Sequence, residues 1–340
     1  MADPIVRFRE IFVKKLTFVA SDKSTIEIPR VNAIRWLLLN CYITFVENNT
    51  ANPTEIEDTI LRAIKKIKLI IDGDDTKINV DARKLFFMEK IEKGAEPANN
   101  KDSLLGQNAT LKYYVQLRLD FATNKLDQTD ISALLPSKKY AKLDLEIEWG
   151  GIADVFSANT GGVSITVASS GCDVEMREAY LDDLVENDKF ARGELMAFRD
   201  YRLGVQSKKI DRAYTNVSDD AFELEIKPAP TKILKQLVFI KDTNGLKSNA
   251  PITDLSVQDV RGAGTTYLKR KVETFNREMK NEFQIESLDA GAILIDWVEK
   301  NAGGLDNLDT EGSLKFKCVT PAPTANETLE VLTQYLKGRA

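Results

Sequence analysis

Alternation of apolar and polar side chains dominates several segments of the chain. In residues 113–121 (YYVQLRLDF) the odd-numbered positions are apolar, and Gln116, Arg118 and Asp120 lie between them. The same alternation runs through residues 143–149 (LDLEIEW), 221–227 (AFELEIK) and 314–318 (LKFKC). A period of two residues is typical of strands in a sheet that buries one face. The pattern therefore predicts an all-β protein.

Helical signals are fewer and shorter. Residues 52–55 (NPTE) combine a capping Asn with Pro and Glu in the first turn, which predicts a short helix that gives way to a strand near Ile67. Residues 267–280 predict a surface helix, and residues 180–198 predict a long loop with some helix. Apolar residues also recur at helical spacing near the N-terminus, which predicts a helix there, at Ile5, Phe8, Ile11, Phe12 and Leu16.

Three landmarks occur twice in the same order. Ile60 matches Ile233, residues 117–121 (LRLDF) match 293–297 (ILIDW), and the strand from Leu143 matches the strand from Leu314. The spacing between copies is nearly constant, which favours a tandem duplication of one β-sandwich with its boundary in the glycine-rich residues 150–162. The predicted domains are an N-terminal arm or helix (1–20), a first sandwich (21–152), a second sandwich (153–330) and a C-terminal tail (331–340).

Each predicted sandwich is longer than an immunoglobulin-like domain of about 100 residues. An eight-stranded jelly roll with long loops fits that length better. The predicted fold class is therefore two tandem eight-stranded jelly rolls, with short helices in the loops and at the N-terminus.

Composition narrows the function. The chain of 340 residues has 43% hydrophobic and 29% charged residues, as expected of a soluble globular protein with about two domains. Its net charge of -5 argues against a dedicated nucleic-acid binder. It has no apolar run long enough for a transmembrane helix, and its charged N-terminal residues predict no secretion signal.

The chain contains no histidine. Catalytic Ser-His and Cys-His pairs and His-ligated metal sites, including those of cupins, are therefore excluded within one chain. Cys41, Cys172 and Cys318 are far apart in sequence and are expected to be core thiols. We predict no catalytic, cofactor-binding or metal-binding residue, and no enzymatic activity.

Several segments resemble the double jelly-roll major capsid proteins of tailless icosahedral viruses. They include residues 24–45 (STIEIPRVNAIRWLLLNCYITF), 60–73 (ILRAIKKIKLIIDG), 131–151 (ISALLPSKKYAKLDLEIEWGG) and 291–318 (GAILIDWVEKNAGGLDNLDTEGSLKFKC). The resemblance spans roughly residues 26–319 and rests on strand and turn patterns.

The resemblance implies a structural protein of the virion. Three chains would form a pseudo-hexameric homotrimer that tiles the facets of the shell, with minor capsid and vertex proteins as further partners and assembly in the host cytoplasm. Residues 81–107 and 180–214 would be tower or intersubunit loops. No sequence-specific nucleic-acid partner is expected. The alternative is a tandem β-sandwich protein for carbohydrate binding or adhesion, which would need exposed aromatic side chains.

The N-terminal arm carries the candidate contact residues. A basic amphipathic segment can lie on an anionic membrane, such as a lipid layer inside the capsid, or it can pack against its own domain or a neighbouring subunit. Both interpretations remain open from the sequence. The contact residues are Arg7, Phe8, Arg9, Phe12, Lys14 and Lys15.

Charged clusters elsewhere have ordinary explanations. Asp72, Asp74 and Asp75 lack the spacing of a calcium loop and predict a polar turn, and Asp306, Asp309 and Glu311 are read in the same way. The carboxylates at 144, 146 and 148 predict a solvated or lysine-paired outer sheet face rather than acid–base chemistry. The basic residues 269–271 and 277 are diluted by glutamates, which favours a solvated or interface helix.

Overall fold

The computed structural model describes residues 5–48, 52–121, 131, 133–195, 198–210, 218–226, 231–259, 266–284, 289–297, 305–306, 314–320 and 325–337. The chain forms two compact units. The first unit comprises residues 1–89 and 96–201, and the second comprises residues 90–95 and 202–340.

The first unit is built mainly from strands. Its strands are β1 (Arg7–Thr17), β2 (Lys23–Glu27), β3 (Ala33–Glu47), β4 (Thr54–Glu55), β5 (Ile64–Ile71), β6 (Asp75–Val80), β7 (Thr110–Asp120), β8 (Leu143–Trp149), β9 (Phe156–Ala158), β10 (Val163–Ile165) and β11 (Gly171–Tyr180). Helices occupy the connections: α1 (Thr59–Ala63), α2 (Ala82–Lys93), α3 (Ile152–Val155) and α4 (Leu184–Arg192).

Two antiparallel sheets form this unit. One has the order β1-β11-β3-β7, with β10 also pairing with β3, and the other has the order β6-β5-β8-β2. Along β3, Leu37, Leu39 and Cys41 are at most 1% exposed, whereas the residues between them are partly exposed. This alternation buries one face of the sheet, as the period of two predicts.

Aromatic side chains fill the core of the first unit. The Phe45 ring makes edge contacts with Tyr113 and Phe156 at centroid distances of 5.7 and 5.1 Å, and Phe18 packs on Trp149 at 5.3 Å. Such pairs contribute about 0.5–1.5 kcal/mol beyond the burial of their area.

The second unit repeats this construction. Its strands are β12 (Asp200–Lys209), β13 (Ser218–Ile226), β14 (Thr231–Lys241), β15 (Asp254–Asp259), β16 (Thr266–Lys271), β17 (Ala292–Asp296), β18 (Leu305–Asp306), β19 (Leu314–Thr320) and β20 (Thr328–Lys337), and its helix is α5 (Val272–Phe283). One sheet has the order β12-β20-β14-β17 and the other β13-β19-β15-β16.

The two units share one topology. In chain order, the eight principal described strands are β1, β2, β3, β5, β6, β7, β8 and β11 in the first unit, and β12, β13, β14, β15, β16, β17, β19 and β20 in the second. Numbered one to eight within each unit, they form sheets of order 1-8-3-6 and 2-7-4-5 in both. A helix follows the fifth strand in both units, α2 in the first and α5 in the second. Eight strands in two sheets with this order form a jelly roll, so the predicted duplication is confirmed.

Two of the three sequence landmarks pair correctly. β7 with β17 and β8 with β19 are equivalent strands, as the LRLDF and Leu143 matches predict. The match of Ile60 to Ile233 is wrong, because Ile60 precedes the fourth strand of its roll and Ile233 lies in the third strand of the other. Both segments are apolar runs interrupted by lysines, and strand composition alone does not separate their positions.

The predicted N-terminal helix is wrong. Residues Arg7–Thr17 form strand β1, which pairs antiparallel with β11. The apolar positions fit a helix equally well, but the hydrogen-bonded ladder with β11 provides the tertiary partner that decides the structure.

The structure also divides the chain at different positions from those predicted. The glycine-rich residues 150–162 connect strands of the first roll rather than two rolls, and β11 extends that roll to Tyr180. At the other end, Val331 and Leu332 are fully buried in β20, so residues 331–337 are core strand rather than tail.

Candidate subunit-contact surface

The N-terminal strand forms one edge of its sheet within the described residues, where β11 is its strand partner. The register runs from Arg7 opposite Tyr180 to Thr17 opposite Gly171, with a bulge between Phe12 and Lys14. Residues directly opposite each other share a sheet face. Arg7, Arg9 and Lys14 therefore lie on one face, and Phe8, Phe12 and Lys15 on the other.

A buried carboxylate holds this strand in place. The Glu178 side chain is fully buried, and its Oε2 accepts hydrogen bonds from Arg9 Nε at 2.7 Å and Asn32 Nδ2 at 2.9 Å. Asn32 in turn accepts a bond from Asn187 Nδ2 at 2.8 Å, and Asn187 lies in helix α4. This network links β1, β11 and α4. The pattern of the sequence did not single out Glu178, because a glutamate in an alternating strand is normally read as solvent-facing.

The remaining contacts of the predicted residues are weaker. Arg7 pairs with Asp182 at 2.7 Å, but both side chains are more than half exposed. The Phe8 ring lies under the Arg177 guanidinium at 5.0 Å and packs against the small apolar cluster around Phe190. Such exposed pairs typically contribute less than about 1 kcal/mol.

Phe12 and Lys14 face outward instead. The Phe12 side chain is 63% exposed on one sheet face, and Lys14 is exposed on the other. Lys15 lies over the Tyr42 ring at 5.2 Å. The structure thus divides the six predicted residues: Arg7, Phe8, Arg9 and Lys15 attach the strand to its own roll, whereas Phe12 and Lys14 remain free for another surface.

A polar network covers the outer face of the same sheet. Asn40 Nδ2 donates to Glu175 Oε1 at 3.0 Å, and Gln116 Nε2 donates to Asn40 Oδ1 at 2.9 Å. The Tyr42 hydroxyl donates to Asp173 at 3.2 Å, and Lys112 lies over the Tyr42 ring at 4.1 Å. This face is half exposed and hydrogen-bonded, which suits a polar contact with another protein surface.

The large exposed apolar side chains are not scattered evenly. The prediction that residues 81–107 and 180–214 are tower or intersubunit loops is wrong in part, because α2 is a largely buried helix and β12 begins the second roll. Several of the most exposed apolar side chains lie in the N-terminal strand region and in the remaining parts of these two segments. They are Ile5 (76%), Phe12 (63%), Leu104 (78%), Leu184 (84%) and Val185 (65%). Exposed apolar side chains mark a surface for association where they form a contiguous patch, and among these five only Leu184 and Val185 are adjacent in the chain.

Helix α4 presents two of these side chains rigidly. Asp183 caps the helix, since its Oδ1 accepts hydrogen bonds from the backbone N–H groups of Val185 and Glu186, both at 2.9 Å. Phe190 anchors the other end of the helix in the core at 2% exposure. Leu184 and Val185 therefore stand on a fixed first turn rather than on a loose loop.

The acidic clusters have structural roles where they are described. Asp72 Oδ1 accepts bonds from the N–H groups of Ala141 at 2.6 Å and Lys142 at 2.9 Å, which makes it a turn residue. Glu146 pairs with Lys68 at 2.7 Å and Lys23 at 3.0 Å, and this confirms the predicted lysine-paired sheet face.

The lysine contacts also set the acidity of Glu146. Burial raises the pKa of its carboxyl, but the hydrogen bonds from Lys68 and Lys23 outweigh burial and hold that pKa below its ordinary value. A carboxylate kept ionised by two lysines has no proton to donate at neutral pH, so the contacts do not build a general acid here.

The remaining clusters divide between described and undescribed residues. Arg270 pairs with Glu278 and Arg277 pairs with Glu273, so both arginines are neutralised. The helix predicted at residues 269–271 is wrong, because these residues form the end of strand β16, and only Arg277 of this group lies in α5. The side chains of the 306–311 cluster lie outside the described residues. Within the described ranges, no group of three or more acidic or thiol side chains is placed to hold a metal ion. Among those ranges, no helix is both long and apolar enough to span a membrane.

All three tryptophans are buried. Trp36 is 6% exposed, Trp149 is 0% and Trp297 is 1%. The carbohydrate-binding alternative calls for exposed aromatic platforms, and these rings do not supply one.

Comparison with known proteins gives structural matches only. No protein-family model matches the sequence, and no curated protein matches it. The STIV major capsid protein matches with a TM-score of 0.72 at 16% identity over 98% of this chain and 97% of that chain. A chain in the atomic structure of Sulfolobus turreted icosahedral virus matches with a TM-score of 0.73 at 14% identity over 98% of this chain and 91% of that chain.

A third match comes from a bacterial virus. The major capsid protein of bacteriophage PM2 matches with a TM-score of 0.58 at 10% identity over 98% of both chains. Identities this low carry information about fold rather than activity, and the fold matches along nearly the whole chain. The chain therefore has the double jelly-roll fold seen in major capsid proteins of icosahedral viruses.

Proposed function

We propose that this chain is the major capsid protein of an icosahedral virus, with a structural rather than a catalytic role in the virion. The observation that carries the proposal is the repeated strand order, 1-8-3-6 and 2-7-4-5, in two successive jelly rolls of one chain. The full-length likeness to viral capsid proteins supports it, with 98% of this chain aligned to 97% of the STIV protein.

The duplication gives the proposed assembly its geometry. Two similar rolls per chain allow three chains to supply six similar walls, which fill a hexagonal position in a shell. We infer a pseudo-hexameric homotrimer that tiles the facets. Closed rings of identical chains use heterologous contacts, so each chain must present two different surfaces to its neighbours.

The exposed apolar residues are the proposed contacts between chains. Phe12 and Lys14 on β1 and Leu184 and Val185 on α4 project from ordered elements of the first roll. Because Arg7 and Arg9 already pair with acids of their own roll, only part of the basic arm is free for an anionic membrane. Contact with a neighbouring subunit therefore accounts for the exposed Phe12 better than lipid contact does.

Further partners follow from the proposed role. Minor capsid and vertex proteins would bind the trimers where facets meet, and assembly would take place in the host cytoplasm. An internal lipid layer is the alternative partner of the N-terminal strand. Flotation with phosphatidylserine vesicles tests the lipid contact directly: co-flotation of wild type that Lys14→Glu abolishes supports it, and no flotation excludes it.

The native mass tests the assembly. We expect light scattering after size exclusion to give three times the chain mass of 38.1 kDa, and negative stain to show hexagonal particles or sheets. A monomer that stays monomeric at high concentration contradicts the proposal. Glycan-array screening would then test the carbohydrate-binding alternative.

A matched pair of variants tests the contact residues. Phe12→Ser removes a 63% exposed ring from the proposed contact. Val31→Ser is the control, because it removes a 49% exposed side chain that lies outside the N-terminal strand and outside residues 81–107 and 180–214. Both should leave the free energy of unfolding within about 0.5 kcal/mol of wild type, as surface changes usually do. Only Phe12→Ser should lower the trimer fraction. An equal effect of both, or of neither, places the contact elsewhere.

A further inference from the structure

Two cysteines that are far apart in sequence lie directly opposite each other in the first roll. Cys41 in β3 is the register partner of Cys172 in β11, and both are buried at 0–1% exposure as free thiols. Opposite residues of antiparallel strands have Cα atoms about 4.5–5.5 Å apart. A disulfide spans Cα distances of about 4.4–6.8 Å, so this pair can close with only small strand movement.

We propose that Cys41 and Cys172 form a disulfide site that closes under oxidising conditions and covalently ties β3 to β11. The bond would join the third and eighth strands of the first roll and enclose about 130 residues of chain. Large loops give the strongest restriction of the unfolded chain, so the bond would stabilise this roll. This inference concerns the fold of one chain and does not depend on the proposed capsid role.

The chemistry needs a small oxidant, and hydrogen peroxide is one. One thiol is oxidised by peroxide to a sulfenic acid with release of one water. The second sulfur then attacks that sulfenic sulfur, the S–S bond forms, and the second water leaves. Two thiols and one peroxide thus give one disulfide and two waters.

The surroundings keep the pair reduced until the strand edge opens. Burial raises the pKa of the Cys172 thiol, and the adjacent Cys41 raises it further, so little reactive thiolate is present. On its other side Cys172 lies opposite Leu16 of β1, which is 1% exposed. Opening of edge strand β1 would uncover the thiol, and the Arg9–Glu178 pair opposes that opening.

Mass spectrometry tests the site in a Cys318→Ser background, where Cys41 and Cys172 are the two remaining thiols. Peroxide treatment should lower the intact mass by about 2 Da and remove both thiols from titration in denaturant, and tryptic mapping should recover the linked peptides. The control Cys41→Ala with Cys318→Ser should retain a single unlinked thiol. If the variants fold poorly, mapping of the oxidised wild-type chain answers the same question.

Two further readouts separate a built site from incidental oxidation. The oxidised form should melt roughly 10 °C above the reduced form. Arg9→Ala should speed formation of the disulfide several-fold, whereas Arg7→Ala should leave its rate nearly unchanged. Of these two arginines, Arg9 is the one that neutralises a buried acid. Two thiols that survive peroxide, sulfinic acids without a cross-link, or cross-links only between chains would each overturn the proposal.

Discussion

Two ion pairs, Arg9–Glu178 and Arg7–Asp182, hold strand β1 to the first roll. The two pairs differ in burial, so we expect them to contribute unequally to the free energy of unfolding. The carboxylate of Glu178 is 0% exposed and its partner Arg9 is 49% exposed, whereas Arg7 and Asp182 are 57% and 61% exposed. Arg9→Ala would leave the Glu178 carboxylate buried, with Asn32 donating to it at 2.9 Å.

The magnitudes follow from these exposures. Removing one partner of a fully buried pair costs about 3–5 kcal/mol, and water reaching the site of the half-exposed Arg9 reduces that figure. We expect Arg9→Ala to lower the free energy of unfolding by about 2 kcal/mol. Arg7→Ala should lower it by less than about 1 kcal/mol, as exposed pairs do.

Urea unfolding of single and double variants measures the difference. Arg9→Ala combined with Glu178→Gln should recover part of the loss, with a coupling energy above about 1 kcal/mol. The cycle of Arg7→Ala with Asp182→Asn should give below about 0.5 kcal/mol, and less still at high salt. Equal couplings in the two cycles, or an Arg9→Ala variant as stable as wild type, would refute the role assigned to the buried carboxylate.

Three more predictions test other parts of the fold. Gly171→Ala should lower the free energy of unfolding by at least about 2 kcal/mol, because the φ of Gly171 is +154° and a Cβ there would lie 2.5 Å from a backbone oxygen of β1. Gly73→Ala is the control, since Gly73 has open space around it at φ +92°, and it should cost about 1 kcal/mol. Calorimetric unfolding of both variants and wild type measures the difference. Trp297→Phe should lower the free energy of unfolding in urea by about 2–4 kcal/mol, because it removes buried volume and the 2.8 Å hydrogen bond from the indole N–H to Gln236 Oε1. A loss below about 1 kcal/mol would contradict this packing. The pKa of Glu146 is lowered in the folded state, so its lysine contacts stabilise the fold at neutral pH and lose that effect as pH falls below about 4.5 through the folded value. Glu146→Gln should therefore weaken the fall in the free energy of unfolding over this acidic range. An unchanged pH dependence in the variant would contradict the role of these ion pairs.

Local alternation predicted much of the fold. The strands at residues 113–121 and 143–149 are β7 and β8, and they bury the side chains that the period of two assigns to the core. A short helix before β5 and a helix within residues 180–198 are also present, as α1 and α4. The predicted start of the first helix at residues 52–55 is wrong, because Thr54–Glu55 form strand β4 and α1 begins at Thr59. These elements are specified by short-range patterns that the sequence carries directly.

The patterns in the sequence do not predict which distant strands pair with each other in a sheet. The spacing of Phe8, Phe12 and Leu16 fits a helix and a strand, and only the ladder with β11 selects the strand. Gly150 and Gly162 look like a linker, although β11 lies beyond them and completes the first roll. Partners more than 100 residues away decide both cases.

The contact surface stays a prediction, and the structure shows what each of its residues touches within the chain. The sequence selected the N-terminal segment from its basic and apolar residues, but it could not show that Arg9 neutralises the buried Glu178. Nor could it show that Cys41 and Cys172 are register partners, because 130 residues separate them. Both facts depend on the order of strands in the sheet.

The bulge between Phe12 and Lys14 has a consequence for how copies of the chain join. An unpaired strand edge is a template on which another chain can continue the sheet, and such growth has no natural end. A bulge interrupts the regular spacing of backbone donors and acceptors, and a lysine beside it would be buried by an incoming strand. Runaway polymerisation through shared backbone hydrogen bonds is thereby disfavoured. In the proposed shell, copies would meet through side chains instead, and such individually weak and reversible contacts would let a misplaced subunit detach before the shell closes.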